Sequence, residues 1–263
     1  MVGTDDQPGL LPRCVEQLFT GGDTAGRVTV RVHVLELYQD TLVDLLCASP
    51  GSGKGPNVRR DAATGDVSVE GAEAVTAEDA FTLLGVCRDA FKRRATASTK
   101  MNSESSRSHL LLMFQTEHVA HNTGARSRGK LTLVDLAGSE RVKKSGAEGK
   151  LLDEAKAINA SLSALGDVVS ALTKNEKHIP YRNHRLTQLM SDSLGGQAKT
   201  LMIVNVSPLG EDGGETKNSL DYASRVKLVT NEASRSVETK AVLALKREVE
   251  ELTRCQSLPS VSR

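Results

Sequence analysis

The chain has 263 residues, with 34 Lys and Arg against 33 Asp and Glu, for a formal charge of +1. Its 38% hydrophobic residues, 22 Gly and 25% charged residues are the make-up of one large or two small globular domains and exclude a disordered or collagenous chain. No apolar run exceeds the five residues of Leu110 to Phe114, far short of the roughly 18 residues of a membrane span, and the polar stretch Gly3 to Gln7 does not read as a signal peptide.

In chain order, Val15, Leu18 and Phe19 stand at helical spacing behind Pro12, which suits a first helical turn, so a short helix is expected over 12–19. Val28, Val30, Val32 and Val34 then alternate with Thr29, Arg31 and His33, the period of a half-buried strand that runs on through Leu35-Glu36-Leu37-Tyr38. A short apolar piece, 41–47, precedes a Gly-, Pro- and Ser-rich loop over 48–66, with a small hairpin around Thr64-Gly65-Asp66. Thr76-Ala77-Glu78-Asp79 reads as a capping box for a helix whose apolar stripe is Ala80, Leu83, Leu84, Cys87, Ala90 and Phe91, ending in Lys92-Arg93-Arg94. Residues 108–119 and 130–136 read as an antiparallel strand pair, and 200–206 as a further strand closed by Ser207-Pro208. Helical pattern covers 150–173, 182–194, 215–229 and 238–252. Strands alternating with helices predict an α/β fold around a mixed sheet. Only the last stretch looks separable: Val242, Leu245, Val249 and Leu252 fall near heptad spacing, over too few heptads for a coiled coil.

Four cysteines far apart, with no C-x-x-C pair, give a zinc site or disulfide framework almost no support and read as reduced thiols of an intracellular protein. Pro50-Gly51-Ser52-Gly53-Lys54-Gly55 imitates the end of a phosphate-binding loop but fails twice. Ala48 stands where the pattern needs Gly, and Gly55 has no hydroxyl to offer magnesium, so this is a plain solvent loop. More informative is Asn102-Ser-Glu-Ser-Ser-Arg-Ser-His109 before one strand, with Asp135-Leu-Ala-Gly-Ser-Glu140 closing the next. A carboxylate at the end of a buried strand, with Gly three residues on, is what a nucleotide hydrolase needs. The carboxylate engages the magnesium shell, and the glycine N–H approaches a γ-phosphate. Arg107 and Glu140 are placed to pair across such a site. Taken singly, each motif equally fits a turn aspartate and an ordinary polar loop.

Together they carry a family resemblance. Residues 102–109 and 135–140 match the switch I (N-x-x-S-S-R-S-H) and switch II (D-L-A-G-S-E) motifs of the kinesin motor domain. The likeness continues through Asn159-Ala-Ser-Leu-Ser-Ala-Leu-Gly166, His178-Ile-Pro-Tyr-Arg-Asn-His-Arg185 and Asn218-Ser-Leu-Asp-Tyr-Ala-Ser224, and upstream through Leu35-Glu-Leu-Tyr38 and Pro8-Gly-Leu-Leu-Pro-Arg13. It therefore spans nearly the whole chain. Ser191-Asp-Ser-Leu-Gly-Gly196 and Ser139-Glu-Arg-Val-Lys-Lys-Ser145 look most like the C-terminal-motor, minus-end-directed group, and within it the calmodulin-binding kinesin of plants and green algae. The resemblance implies a partial motor domain over 1–232 and a neck-mimic-like helix with a short tail over 233–263.

The resemblance also implies roles for individual residues. ATP and Mg2+ are the expected cofactors, with Asn102, Ser105, Ser106, Asp135 and Gly138 around the nucleotide and Ser106 and Asp135 reaching Mg2+ (the latter through water). Arg107, Glu140 and Asn159 form the catalytic network that closes the site and places the attacking water. Microtubules are the expected partner, met by Lys143, Lys144, Lys150, Lys174, Lys177, Arg182, His184 and Arg185. Residues 141–200 hold ten Lys and Arg against six Asp and Glu, a local excess suited to an acidic polymer. Nucleic acid, the rival acidic partner, is not supported by any recognisable binding module, and no membrane contact is expected. Calmodulin or a related calcium sensor is implied for the full-length parent, although 255–263 is short, Pro-interrupted and carries one charge. The implied location is cytoplasmic, on the cytoskeleton.

One departure sets the expectations for activity. The motor family opens with strands leading into G-x-x-x-x-G-K-[ST], and that pattern occurs nowhere in these 263 residues. The sheet is expected to lack its first strands, the chain to fold poorly or associate through the gap, and the kinesin-type ATPase to be very weak or inactive in this chain alone. Met1 then reads as an internal methionine of a longer frame. Two functions follow: the switch-bearing portion of an ATP-driven microtubule motor, or a non-catalytic microtubule-binding module acting as a passive or dominant-negative tether.

Overall fold

The computed structural model describes residues 1–4, 6–20, 26–47, 55–62, 64–101, 107–139, 150–231 and 237–238. Helix α1 (Leu10–Thr20) leads to strand β1 (Gly26–Tyr38), which turns back tightly into β2 (Thr41–Asp44). A hairpin of β3 (Asn57–Arg60) and β4 (Val67–Glu70) and the short β5 (Val75–Ala77) precede helix α2 (Ala80–Met101). Then come β6 (Ser108–Ala120), β7 (Arg126–Asp135), the long helix α3 (Lys150–Thr173), the short α4 (Arg185–Leu189), α5 (Gly213–Val226) and β8 (Val237–Glu238). The main sheet runs β2-β1-β6-β7-β8, with β5 also on β1, while β3 and β4 form a second small sheet.

Period-two burial explains the layering, because successive side chains of a strand face opposite sides of the sheet. Val30, Val32 and Val34 of β1, Leu110, Leu112 and Phe114 of β6 and Leu133 of β7 face one side, where Leu11 and Val15 of α1 and Leu83, Cys87 and Ala90 of α2 cover them. Leu35, Leu37, Leu111 and Met113 face the other, against Leu165 and Val168 of α3 and Leu186 and Leu189 of α4. The expected α/β layering is thus present. Every ladder among the described residues is antiparallel, so parallel pairings of the expected mixed sheet are not among them.

Several expectations need correction. Thr76 lies in β5, and the cap of α2 is Asp79, whose Oδ1 accepts the Thr82 N–H at 2.7 Å. The basic run 92–94 does not end that helix. Arg93 turns inward to the carbonyls of Leu45 and Leu46, at 3.0 and 2.5 Å, and the helix continues to Met101. Residues 182–194 do not form one helix: His184 is extended (φ −150°, ψ 149°), leaving a single tight turn at Tyr181–Asn183 and the five-residue α4. Residues 200–206 are not a strand; Leu201 is 82% and Ile203 58% exposed. Beyond β6, β7 pairs only at Arg126 and Ser127, with β8, so among the described residues no ladder receives this segment. Strand propensity without a partner strand does not make a strand. Of the helix expected over 238–252, Glu238 instead belongs to β8, and residues 239–252 lie outside the described residues, as do residues 50–54 of the imitation phosphate loop.

The C-terminal end of α3 rests on a glycine. Gly195 has φ +72°, and a Cβ there would stand 2.2 Å from Leu172 Cδ2. Tyr181 donates its hydroxyl to the Leu194 carbonyl at 2.5 Å, and the Gly195 N–H donates to Asn231 Oδ1 at 2.9 Å.

Candidate functional site

Arg107, ahead of β6, and residues 136–139, after β7, lie at the same end of the β6–β7 hairpin. In its register Leu110 faces Asp135, so the strand end that carries Asp135 lies three positions from Arg107. Asp135 is exposed, Gly138 half-buried and Asn159 half-buried on α3. Asn102, Ser105, Ser106 and Glu140 lie outside the described residues. So does the expected Arg107–Glu140 pair.

The described partner of Arg107 is Glu154 of α3, with Nη1 2.9 Å from Oε2. Tyr38, at the end of β1, donates its hydroxyl to the other carboxylate oxygen at 2.6 Å. Burial first, and then the Glu154 carboxylate, pushes the Tyr38 hydroxyl up to about 12, so it stays a donor. Glu154 is 8% exposed, and one carboxylate thereby joins β1, Arg107 just ahead of β6, and α3.

A second tie joins α3 to the other loop. His109 is 3% exposed on β6, and its Nδ1 accepts the Ala137 N–H at 3.0 Å. The ring proton therefore sits on Nε2 and donates to Ser161 Oγ at 2.8 Å. Ser161 passes its own hydrogen to the Ile158 carbonyl at 2.6 Å. Burial, with smaller contributions from His184 and Arg94, lowers His109 to about 4, which keeps the ring neutral. Glu154, Ile158, Ser161, Leu165 and Val168 follow i, i+4, i+7, i+11, i+14 spacing, so they share one face of α3. That face is polar beside the loops and apolar over the core.

The elements that flank residues 102–106 are tied to each other. Arg94 of α2 bonds Glu36 at 2.8 Å and reaches the Ser108 carbonyl and hydroxyl at 3.2 and 2.9 Å, while Ser108 donates to Glu36 at 2.5 Å. The ion pair is nearly buried, with side chains 13% and 14% exposed.

The basic face lies past the far end of α3. Lys174, Lys177 and Arg182 are exposed. His184 caps α4, its Nδ1 accepting the Leu186 N–H at 3.1 Å, and burial lowers its pKa. Arg185 is half-buried and 4.0 Å from Asp40. The backbone of α3 begins at Lys150; Lys143 and Lys144 fall outside the described residues. The sequence reading missed Arg60 of β3, which lies 5.6 Å over the Tyr181 ring and brings the β3–β4 hairpin to this face. The adjacent pair Arg59-Arg60, just before the hairpin turn around Thr64-Gly65-Asp66, was the available signal.

Among the described residues no cluster of three or more His, Cys, Asp or Glu is placed to hold a metal ion. An exposed lone carboxylate at a strand end fits Mg2+, which takes one or two carboxylates together with substrate phosphates rather than an all-protein cage. Chemically, then, the site offers a carboxylate, the Gly138 backbone and an arginine at one strand end, with two separate ties to one helix.

Comparison with known proteins gives a consistent picture. The family model of the kinesin motor domain matches residues 1–229. The chain is 48% identical to kinesin-like protein KIN-14I of Oryza sativa subsp. japonica over 93% of its own length, and 46% identical to kinesin-like protein KIN-14E of Arabidopsis thaliana over the same share. It spans about a fifth of the length of each, 20% in both cases. Among solved structures it resembles a fast kinesin described for its ATPase mechanism and interactions with microtubules, with TM-score 0.80 and 38% identity over 91% of this chain and 68% of that one. It also resembles the C-terminal motor and motor homology domain of Kar3Vik1, with TM-score 0.72 and 38% identity over 83% of this chain and 57% of that one.

Proposed function

The chain belongs to the kinesin motor-domain family, and from that premise we propose that it supplies the switch loops and polymer-binding face of an ATP-driven, microtubule-based motor. The observation that carries the proposal is the double tie to α3: Arg107 to Glu154 on one side, and Ala137 through His109 to Ser161 on the other. Both loops that meet the nucleotide are thereby joined to the helix that leads directly into Lys174, Lys177 and Arg182. Phosphoryl transfer is chiefly positioning and charge stabilisation, so residues that fix loop geometry govern both turnover and its coupling to the polymer.

In this proposal Asp135 and Ser106 hold Mg2+, which when bound supplies charge neutralisation for the phosphates. Gly138 meets the γ-phosphate through its backbone, and Asn102, Ser105 and Ser106 complete the cradle. Arg107, Glu140 and Asn159 hold the catalytic network, with Glu154 competing for Arg107 when the loops are apart. Lys143, Lys144, Lys150, Lys174, Lys177, Arg182, His184 and Arg185 face the acidic polymer, with Arg60 beside them. The motor portion is taken as 1–232. A cytoplasmic, microtubule-associated location and a calcium-sensor partner for the full-length parent belong to the same proposal. Among the described residues no helix is long and apolar enough to cross a membrane.

A second reading has its own support, because G-x-x-x-x-G-K-[ST] is absent from the 263 residues. The chain by itself is then a nucleotide-independent microtubule-binding module. Co-sedimentation with microtubules, with ADP and with a non-hydrolysable ATP analogue, separates the two. Affinity that differs between nucleotides and falls with added salt is expected of the motor portion; equal affinity favours the module. No sedimentation at low salt overturns both.

A further inference from the structure

We infer that His109 is a positioning residue that carries displacement of the 136–139 loop to helix α3, with Ser161 as its receiving end. The inference deepens the motor reading of this site, but its first test does not depend on that reading. His109 stands at the head of an apolar run: Leu110, Leu111, Leu112, Met113 and Phe114 follow it on β6, all buried. A further leucine at that position would pack without desolvating a ring. What the imidazole adds is two bonds of opposite sense at fixed separation, accepting from the loop at Nδ1 and donating to the helix at Nε2.

Each group in the chain is satisfied once and in one direction. The Ala137 N–H enters the ring, the ring N–H enters Ser161, and the serine hydrogen enters the Ile158 carbonyl. His109 and Ser161 are 3% and 1% exposed, so water does not replace a lost partner. Moving the loop away from the helix, or the helix away from the loop, orphans a buried polar atom, which is costly. Loop and helix therefore move as one body across the ring. The Arg107–Glu154 tie lies two turns nearer the start of α3 on the same face, so the helix is gripped separately by each motif loop.

The test uses the 263-residue chain and two measurements. In wild type, imidazole nitrogen shifts of His109 should show the Nε2–H tautomer; the Nδ1–H tautomer overturns the relay even if every variant misfolds. Ser161→Ala then leaves the Ala137–His109 bond chemically intact while removing its far end. Amide exchange at Ala137 should accelerate roughly tenfold, while the amides of the β6–β7 ladder keep their wild-type rates. Unchanged exchange at Ala137 overturns the inference, and so does uniform acceleration across the ladder, which is the signature of a structural role alone. Ser161→Thr, which restores the hydroxyl, should return Ala137 toward the wild-type rate. If microtubules bind, wild type should transmit binding as protection at Ala137 and Ser161→Ala should not. Failure to bind removes the motor reading without touching the exchange result.

Discussion

Residues 110–114 and 200–206 are written in nearly the same alphabet, yet the fold treats them oppositely. Leu110 to Phe114 lie between two neighbouring strands and are all 4% exposed or less. Leu201, Ile203 and Val206 are 82%, 58% and 47% exposed, with no ladder among the described residues. Intrinsic preference is similar for the two segments, so the difference lies in what stands beside them: strand structure is a property of pairs and burial more than of a run of residues.

The largest effect expected of this contrast is its direct measurement. Phe114→Ala should cost about 3–5 kcal/mol in urea unfolding because it empties a closed site, whereas Leu201→Ser should stay within about 0.5 kcal/mol. Comparable losses at the two positions would break the comparison. Next comes pH. His109 is held at about 4, below its ordinary 6.5, so between those values the unfolded chain takes up a proton that the native ring refuses. Its contribution is fully present above about pH 6.5 and is lost as pH falls toward about 4, by up to about 3 kcal/mol. Urea midpoints at pH 7.5 and pH 5 should show the fall, and His109→Gln should flatten it. His184, also lowered by burial, adds a residual slope of the same sign.

Glu154→Gln tests the polar edge of the same buried region. It strips Arg107 of its described counter-charge, and because Arg107 keeps 25% of its side chain exposed, the loss should be about 2 kcal/mol, below that of a fully buried pair. A loss under about 0.5 kcal/mol would group this tie with ordinary surface ion pairs. The smallest change expected is at the basic face. Lys174→Ala and Lys177→Ala should leave stability within about 0.5 kcal/mol while weakening microtubule co-sedimentation and its salt dependence; unchanged sedimentation would remove these lysines from the interface.

Periodicity made the main elements legible where burial is periodic. The alternation of 28–38, the paired runs 108–119 and 130–136, and the helical stretch 150–173 all stand close to where the residues put them. It failed where the deciding interaction is distant in sequence. Nothing near Thr200 announces that no strand lies alongside, and nothing near Arg93 announces that the carbonyls of Leu45 and Leu46 draw it inward. At the site, the motif residues themselves were readable, but Glu154 and Ser161 were not. Their seven-residue spacing on a helix face otherwise apolar toward the core is a signal, but a weak one until the strands ending in Tyr38 and beginning at Ser108 are seen to meet it. His184, expected as a polymer contact, has a second role that its position announces only weakly: just ahead of α4, its ring accepts a backbone N–H of that helix.

The seat formed by Gly195 makes α3 a lever. Leu172 bears on a backbone with no side chain to yield, and that backbone is held by Tyr181 and Asn231. Ser161 stands about 16 Å from this fulcrum and Lys150 about 33 Å, at 1.5 Å per residue. Pivoting there, a displacement of about 1 Å at Ser161 becomes about 2 Å at Lys150. Any residue with a Cβ at position 195 would move the fulcrum itself, changing the gain of the lever rather than the strength of either tie.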